Sequence, residues 1–84
     1  MSDVTIRYYA TLRNLTGHEE DLITARRVRD VINFIKKNYD RRASDCLNHC
    51  SIFLNNTSII FLNGLNTRLK DGDTIHIFPP LAGG

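Results

Sequence analysis

The hydrophobic pattern of this chain changes from a strand period to a helix period and back again, and that order limits what the chain can fold into. Residues 4–10 alternate between apolar and polar side chains, which predicts a strand that turns Val4, Ile6 and Tyr8 toward a core. From Val28 the apolar residues recur at helical spacing, which predicts one amphipathic helix of about three turns. Because the chain has 84 residues, strand and helix must share a single modest core.

Further strands are predicted after the first, with turn residues between them. They cover residues 20–24, 51–55, 59–62 and 74–78, and their core-facing side chains are expected to be Leu22, Ile52, Leu54, Ile75 and Ile77. Turns are expected at residues 14–17, 55–56, 63–64 and 71–73. The polar segment 40–49 is predicted to be a loop with a helical turn at 44–47. The predicted fold class is therefore α+β, with one main helix packed on one face of a mixed sheet of four to five strands.

The start of the predicted helix carries no ordinary capping residue. Arg27 stands just before Val28, where Ser, Thr, Asp or Asn would accept hydrogen bonds from the free backbone N–H groups. The sequence therefore predicts that the first turn frays, or that Thr24 serves as an earlier cap.

The chain closes with Pro-Pro-Leu-Ala-Gly-Gly, directly after the last predicted strand. Pro79 and Pro80 cannot continue a central ladder, so the chain must leave the sheet there. The sequence predicts one domain over residues 1–80 and a flexible tail over residues 81–84, which could project more than about 10 Å from the body. Because the last two residues are glycines, no side chain would keep a partner's active site from the carboxylate of Gly84.

The charge balance and the apolar runs argue against a nucleic-acid binder and a membrane protein. With 11 Lys and Arg against 9 Asp and Glu the net charge is +2, whereas nucleic-acid binders usually show a basic stripe. The arginines at positions 26, 27, 29, 41 and 42 are interpreted as solvated surface, with an acidic protein partner as the alternative. The longest apolar run, residues 59–62, is too short to span a membrane, and the first residues do not resemble a signal peptide. We expect a cytoplasmic location.

Three potential metal ligands, Cys46, His49 and Cys50, lie close together in the sequence. A structural zinc site usually takes four ligands from paired motifs, and this chain has 2 cysteines in all, so no metal site is predicted. Gly64 and Gly72 are isolated turn glycines and do not form a phosphate-binding loop. We therefore expect that this chain binds no cofactor of its own.

Two large aromatic residues stand at positions predicted to face away from the core. Tyr9 and Phe78 have the outward parity of their strands, which they share with Arg7 and His76. Large apolar groups on a solvated face often mark a contact surface, so a docking role is predicted for both.

The chain resembles the molybdopterin synthase small subunit and thiamin sulfur carrier family along nearly its whole length. The matching features are the block at residues 69–84 (Leu-Lys-Asp-Gly-Asp-Thr-Ile-His-Ile-Phe-Pro-Pro-Leu-Ala-Gly-Gly), the opening Tyr8-Tyr9-Ala10-Thr11-Leu12-Arg13, Gly17, Glu19-Glu20 and the helix start at residues 28–32. The C-terminal block resembles sulfur carriers, and its Pro-Pro pair favours the molybdopterin branch over the thiamin branch. The resemblance implies a ubiquitin-like β-grasp fold.

The resemblance also implies a function. An ubiquitin-activating-like adenylyltransferase would use ATP and magnesium to adenylate the Gly84 carboxylate, with Gly83 beside it. A thiocarboxylate would then form and give its sulfur to the molybdopterin precursor in the synthase large subunit. The chain would thus be a carrier subunit rather than an enzyme. The residues that the resemblance assigns to partner contacts are Tyr9, Ile59, Ile60, Phe78, Pro79, Pro80, Leu81 and Ala82.

Three other hypotheses stay open at the level of sequence. The carrier could give its sulfur to thiamin or another thiolated product, such as tRNA. It could instead be a protein modifier that is joined through Gly84 to lysines of other proteins. It could also be a plain interaction module whose tail has no chemical role.

Overall fold

A mixed five-stranded sheet lies against three α-helices in the computed structural model, which describes residues 1–80. The predicted tail at residues 81–84 lies outside the described residues. The strands are β1 (Ser2–Tyr8), β2 (Glu20–Ala25), β3 (Ser51–Leu54), β4 (Thr57–Ser58) and β5 (Thr74–Phe78). The helices are α1 (Ala10–Thr16), α2 (Val28–Asn38) and α3 (Arg41–Leu47), and two 3₁₀ turns cover Ile59–Phe61 and Gly64–Asn66.

The strand order across the sheet is β2-β1-β5-β3-β4. The first and last strands are parallel neighbours at its centre, and the other adjacent pairs are antiparallel. In the parallel pair Tyr8 stands opposite Ile77, so the residues that follow them, Tyr9 and Phe78, emerge side by side. This register brings the end of β1 next to the end of β5, where the proline pair begins.

The core lies between one face of the sheet and the helices. Its strand residues include Val4, Ile6, Tyr8, Ile75 and Ile77, all predicted to face inward and all buried. The helices contribute Leu12, Val28, Val31, Ile35, Ala43 and Leu47. Ile52 and Leu54 pack against this core while remaining partly exposed. The α+β fold class and the amphipathic α2 are thus confirmed.

A small polar cluster joins β1 and β2 to the end of α2. The hydroxyls of Tyr8 and Tyr39 both donate to Asp21 Oδ2, at 2.7 and 2.5 Å. Burial, with these bonds to the Asp21 carboxylate, raises the pKa of Tyr39 to about 12. Both hydroxyls therefore remain donors at neutral pH, and the two tyrosine rings meet edge to face with centroids 6.0 Å apart.

The predicted inward orientation of Leu22 is wrong. Leu22 is 75% exposed, and its neighbour Ile23 packs against the core. In the antiparallel register Val4 stands opposite Ile23, and directly opposed residues share a face of the sheet. Since Val4 is buried, Ile23 must face the core and Leu22 must face outward.

The predicted strand at residues 59–62 is also wrong. The two-residue strand β4 (Thr57–Ser58) ends before this segment, and residues Ile59–Phe61 form a 3₁₀ turn. Ser58 Oγ accepts a hydrogen bond from the backbone N–H of Ile60, which caps a 3₁₀ turn. The turn buries Ile59 and leaves Ile60 and Phe61 exposed.

Two segments predicted as turn and loop contain helices. The helix α1 covers Ala10–Thr16 and so includes most of the predicted turn at residues 14–17. It ends at Gly17, whose φ of 75° is the left-handed conformation that glycine adopts without strain. The helix α3 extends the predicted turn at 44–47 back to Arg41. Its first turn is capped by the Asp40 carboxylate, which accepts from the backbone N–H of Ala43.

The start of α2 is held by an acidic residue inside its first turn. Asp30 Oδ2 accepts hydrogen bonds from the backbone N–H groups of Arg26 and Arg27, at 2.9 and 3.0 Å. The predictions of a frayed start or a cap at Thr24 are therefore wrong, since Thr24 lies in β2 and α2 begins at Val28. A carboxylate at the third helical position reaches back to N–H groups that no earlier side chain satisfies.

Replacing Asp30 with Ala is expected to lower the free energy of unfolding at pH 7 by about 0.5–1 kcal/mol, as for loss of a helix cap. The hydrogen bond from the Arg26 backbone N–H has the largest effect on the pKa of the Asp30 carboxyl, followed by the one from Arg27, and both lower it. The ionised Asp30 carboxylate therefore contributes fully to the free energy of unfolding at pH values above its pKa in the unfolded chain, which is about 3.9. This contribution is lost as the pH falls through the lower pKa of the folded protein. Urea denaturation from pH 7 to pH 3 should show the wild type and Asp30→Ala converging. Equal loss in the exposed control Asn33→Ala would contradict this assignment.

Candidate functional site

Four rings form one cluster on the face of the sheet that the helices leave uncovered; we call Tyr9, Phe53, His76 and Phe78 the aromatic patch. The rings of Tyr9 and Phe78 are stacked, with centroids 4.3 Å apart and planes at 18°. Phe53 meets Phe78 edge to face at 5.7 Å. The Tyr9 hydroxyl lies 2.7 Å from His76 Nδ1, a hydrogen-bond distance. Each ring is thus held by at least one other.

The patch follows from strand parity and register. His76 stands opposite Arg7 in the parallel pair and opposite Phe53 in the antiparallel pair, so three strands meet at this residue. Phe78 lies two residues further along β5 and therefore shares its face, which is the face opposite to buried Ile77. The predicted outward orientation of Tyr9 and Phe78 is confirmed.

The aromatic patch forms a shallow concavity rather than a closed pocket. A cavity of about 370 Å³ is lined by Tyr9, Phe53, Asn55, Asn56, His76 and Phe78. Phe78 is 38% exposed, whereas Tyr9 and Phe53 are half-buried. The guanidinium of Arg7 lies 5.9 Å from the centre of the Tyr9 ring and also pairs with Glu20 at 3.0 Å. Aromatic rings with a polar rim are typical of protein docking surfaces.

Phe53 belongs to the site although sequence reasoning did not select it. The sequence did indicate that Phe53 faces outward, because it alternates with the inward residues Ile52 and Leu54. What the sequence lacked was the pairing of β3 with β5, which places Phe53 beside Phe78.

The two isoleucines expected to complete the contact surface have different environments. Ile59 is 8% exposed and lies in the core, whereas Ile60 is 78% exposed, so Ile60 is the one available to a partner. It belongs to a set of exposed apolar residues on and after the first 3₁₀ turn, which we call the apolar ridge: Ile60, Phe61, Leu62 and Leu65. Sequence reasoning missed Phe61 and Leu62 because residues 59–62 were predicted to be a strand, and it did not select Leu65, which lies in the second 3₁₀ turn.

The predicted contact residues of the tail start beside the aromatic patch. The strand β5 ends at Phe78, half-buried Pro79 and exposed Pro80 follow, and the prediction of a strand that stops before the prolines is confirmed. Leu81, Ala82, Gly83 and Gly84 lie outside the described residues.

The two cysteines lie at the end of α3 and just before β3. Their Sγ atoms are 3.9 Å apart as free thiols, and the Cys50 thiol donates to the Cys46 carbonyl at 3.1 Å. Burial raises the pKa of the Cys50 thiol to about 12, which keeps it protonated at neutral pH. Within residues 1–80, no three His, Cys, Asp or Glu side chains group closely enough to hold a metal ion. No helix in that range is long and apolar enough to cross a membrane.

A five-stranded β-grasp sheet whose central strand leads into a diglycine sequence is the architecture of ubiquitin-like proteins. A family model described as the ThiS family matches residues 6–84. Because the match covers nearly the whole sequence, the chain belongs to the ThiS family, a ubiquitin-like group of sulfur carriers and modifiers. The resemblance and the β-grasp fold inferred from the sequence are both confirmed.

Three relatives illustrate the range of this family. Small archaeal modifier protein 3 of Haloferax volcanii is 30% identical, over 98% of this chain and 99% of the relative. The structure of small archaeal modifier protein 1 from Methanosarcina acetivorans is 29% identical and superimposes with a TM-score of 0.87, over 100% of this chain and 98% of that one. A third match is a chain in the complex of subunits 1 and 2 of the molybdopterin-converting factor from Helicobacter pylori. It is 28% identical and superimposes with a TM-score of 0.73, over 98% of this chain and 99% of that one.

Adjacent residues on β5 should respond differently to truncation, because they face opposite sides of the sheet. We expect Ile77→Ala to lower the free energy of unfolding by about 2–5 kcal/mol, since it opens a cavity in the core. Phe78→Ala should cost only about 0.5–1.5 kcal/mol, the scale of the lost ring contacts. Urea denaturation of the two variants measures both values. A larger loss in Phe78→Ala than in Ile77→Ala would show that the patch is part of the core.

Proposed function

We propose that this protein is a sulfur carrier that acts as the small subunit of a molybdopterin synthase. The observation that carries the proposal is the position of the aromatic patch at the base of the diglycine sequence, with Phe78 directly before Pro79. A partner that docks on the patch would hold the neighbouring tail over its own active site. Such an arrangement lets a small domain supply a reactive group while the partner supplies the catalytic residues.

The chemistry would take place at the Gly84 carboxylate. A carboxylate is a poor electrophile, so one of its oxygens would first attack the α-phosphorus of ATP and release pyrophosphate. Hydrosulfide from a sulfur donor would then attack the carbonyl carbon of the acyl-adenylate, form the C–S bond and displace AMP, which after loss of the thiol proton leaves a thiocarboxylate. An ubiquitin-activating-like adenylyltransferase would bind the ATP and magnesium, and this chain would bind no cofactor and would not itself be an enzyme.

The synthase large subunit would receive the thiocarboxylate and hold the molybdopterin precursor. Support comes from the Helicobacter pylori relative, whose structure is a complex of subunits 1 and 2 of the molybdopterin-converting factor. The aromatic patch and Ile60 would form the contact, with residues 79–82 leading into the partner's active site. We further propose a cytoplasmic location, which fits two free thiols only 3.9 Å apart.

Intact-mass analysis tests the carrier chemistry directly. After incubation with an adenylyltransferase of this class from the same cell, ATP and a sulfur donor, we expect a mass increase equal to replacement of one oxygen by sulfur. A chain lacking Gly84 should show no increase, while its melting temperature stays close to that of the full chain. No mass increase in the full chain, with the enzyme shown to be active on another carrier, would contradict the proposal.

The docking role of the patch has its own test. In binding assays with the large subunit or the adenylyltransferase, Phe78→Ala and Tyr9→Ala are expected to weaken affinity by roughly tenfold or more, because buried aromatic anchors carry much of the energy of such interfaces. Leu22→Ala is the matched control, since Leu22 is 75% exposed on the edge strand β2 and stands opposite Thr5, outside the four residues of the patch. If Leu22→Ala weakened binding as much as Phe78→Ala, the contact would lie elsewhere on the sheet.

A second candidate function is a protein modifier joined through Gly84 to lysines of other proteins. The observation that favours it is the 30% identity with small archaeal modifier protein 3 of Haloferax volcanii over 98% of this chain. Higher-mass conjugates in cell extracts, lost when Gly84 is deleted, would support this function. A sulfur carrier for thiamin or another thiolated product is distinguished by the large partner that co-purifies with the chain.

A further inference from the structure

The end of the molecule opposite the aromatic patch carries a basic cleft. A cavity of about 400 Å³ is lined by Met1, Ser2, Arg26, Arg27, Arg68 and Leu69. Three of the six lining residues are arginines and none is acidic. We call Arg26, Arg27 and Arg68 the cleft arginines; all three are exposed.

Main-chain contacts fix the spacing of the cleft arginines. Arg27 and Arg68 stand opposite each other in an antiparallel bridge. On either side of it, the Leu69 N–H donates to the Arg26 carbonyl at 2.8 Å and the Val28 N–H donates to the Thr67 carbonyl at 3.0 Å. Like charges directly opposite each other destabilise a strand pair, so this arrangement has a cost that a bound anion would remove.

Among residues 1–80, no carboxylate forms an ion pair with a cleft arginine. The ion pairs formed in that range use Arg7, Arg13 and Arg42. Asp30 interacts with two of them mainly through the main chain, because its Oδ2 accepts the backbone N–H groups of Arg26 and Arg27. Its charge also attracts their guanidinium groups, but this is a smaller effect than the two backbone hydrogen bonds. Asp71, close to Leu69 in sequence, uses Oδ1 to accept from the backbone of Asp3. The cleft therefore presents three guanidinium groups without a side-chain ion pair among the described residues.

The lining indicates the class of ligand. Guanidinium groups match phosphate oxygens with two parallel hydrogen bonds each, and a cavity of about 400 Å³ is in the range of small-molecule sites. No aromatic ring lines the cleft, so a nucleotide base would have no aromatic side chain to stack on there. We propose that the cleft binds a compact polyphosphate, recognised by its phosphates alone, whether free or as the phosphate chain of a nucleotide.

This site is independent of the tail and of the proposed sulfur transfer. The cleft lies at the Ser2 end of β1 and the patch at the Tyr8 end, which are about 20 Å apart at roughly 3.3 Å per residue. A polyphosphate could therefore bind while a partner covers the aromatic patch.

Titration of the ¹⁵N-labelled chain with inorganic tripolyphosphate tests the proposal by NMR. We expect saturable shifts of the backbone amides that surround the cleft, at residues 26, 27, 68 and 69. ATP should bind with nearly the same affinity, and both should bind more weakly as the salt concentration rises. Preference for ATP of more than roughly tenfold would mean that the base is recognised, and would overturn the assignment of a phosphate-only ligand.

Matched charge variants distinguish specific binding in the cleft from nonspecific electrostatic attraction to a basic surface. The double variant R26Q/R68Q should lose affinity by roughly tenfold or more, because two of three phosphate-binding groups are removed. The control K36Q/K37Q removes the same charge from the exposed face of α2 and should bind almost as the wild type does. Equal losses in the two variants, or no saturation in the wild type, would refute the site. Since the assay needs neither Gly84 nor a partner, its outcome is separate from that of the sulfur-transfer experiment.

Discussion

The parallel pairing of β1 with β5 is the contact on which the rest of this structure depends. It joins the two ends of the described chain at the centre of the sheet. These two strands supply the core residues Val4, Ile6, Tyr8, Ile75 and Ile77. Parallel neighbours need a long crossover, which here contains the helices that cover those residues. In a domain of 84 residues, few other apolar groups could replace them.

The same pairing produces the candidate docking surface. Because side chains alternate across a strand, burying Tyr8 and Ile77 on one face obliges Tyr9 and Phe78 to meet on the other. The stacked rings then lie where the chain leaves the sheet through Pro79. Core packing and the docking surface are therefore consequences of one register. A slip of one residue would turn the core side chains to the outer face and the patch side chains to the core face. The basic cleft lies at the other end of β1, so the molecule offers two separate surfaces.

Much of the fold could be predicted because its strongest signals are local. The alternation of β1 and β5 and the helical spacing of α2 depend on residues close in sequence, and α2 and β5 begin where they were predicted. The first strand was predicted at residues 4–10, whereas β1 covers Ser2–Tyr8 and Ala10 already belongs to α1. Leu22 shows the limit of such signals. In the sequence Leu22-Ile23 either residue could face inward, and only the pairing of Ile23 with Val4 decides between them. The run at residues 59–62 was equally ambiguous, since a short apolar stretch fits a strand, a turn or a helix.

The sequence by itself determined the fold class, the outward position of Tyr9 and Phe78 and the resemblance to sulfur carriers, because each rests on a short-range pattern. Only the tertiary structure decided which other residues join Tyr9 and Phe78 at the docking surface. Phe53 joins the patch through the pairing of β3 with β5, and Ile60 rather than Ile59 is exposed because the chain turns at Ser58. Arg68 faces Arg27 from a position far along the chain. Contacts between distant segments depend on strand pairing and loop closure, which no local pattern encodes.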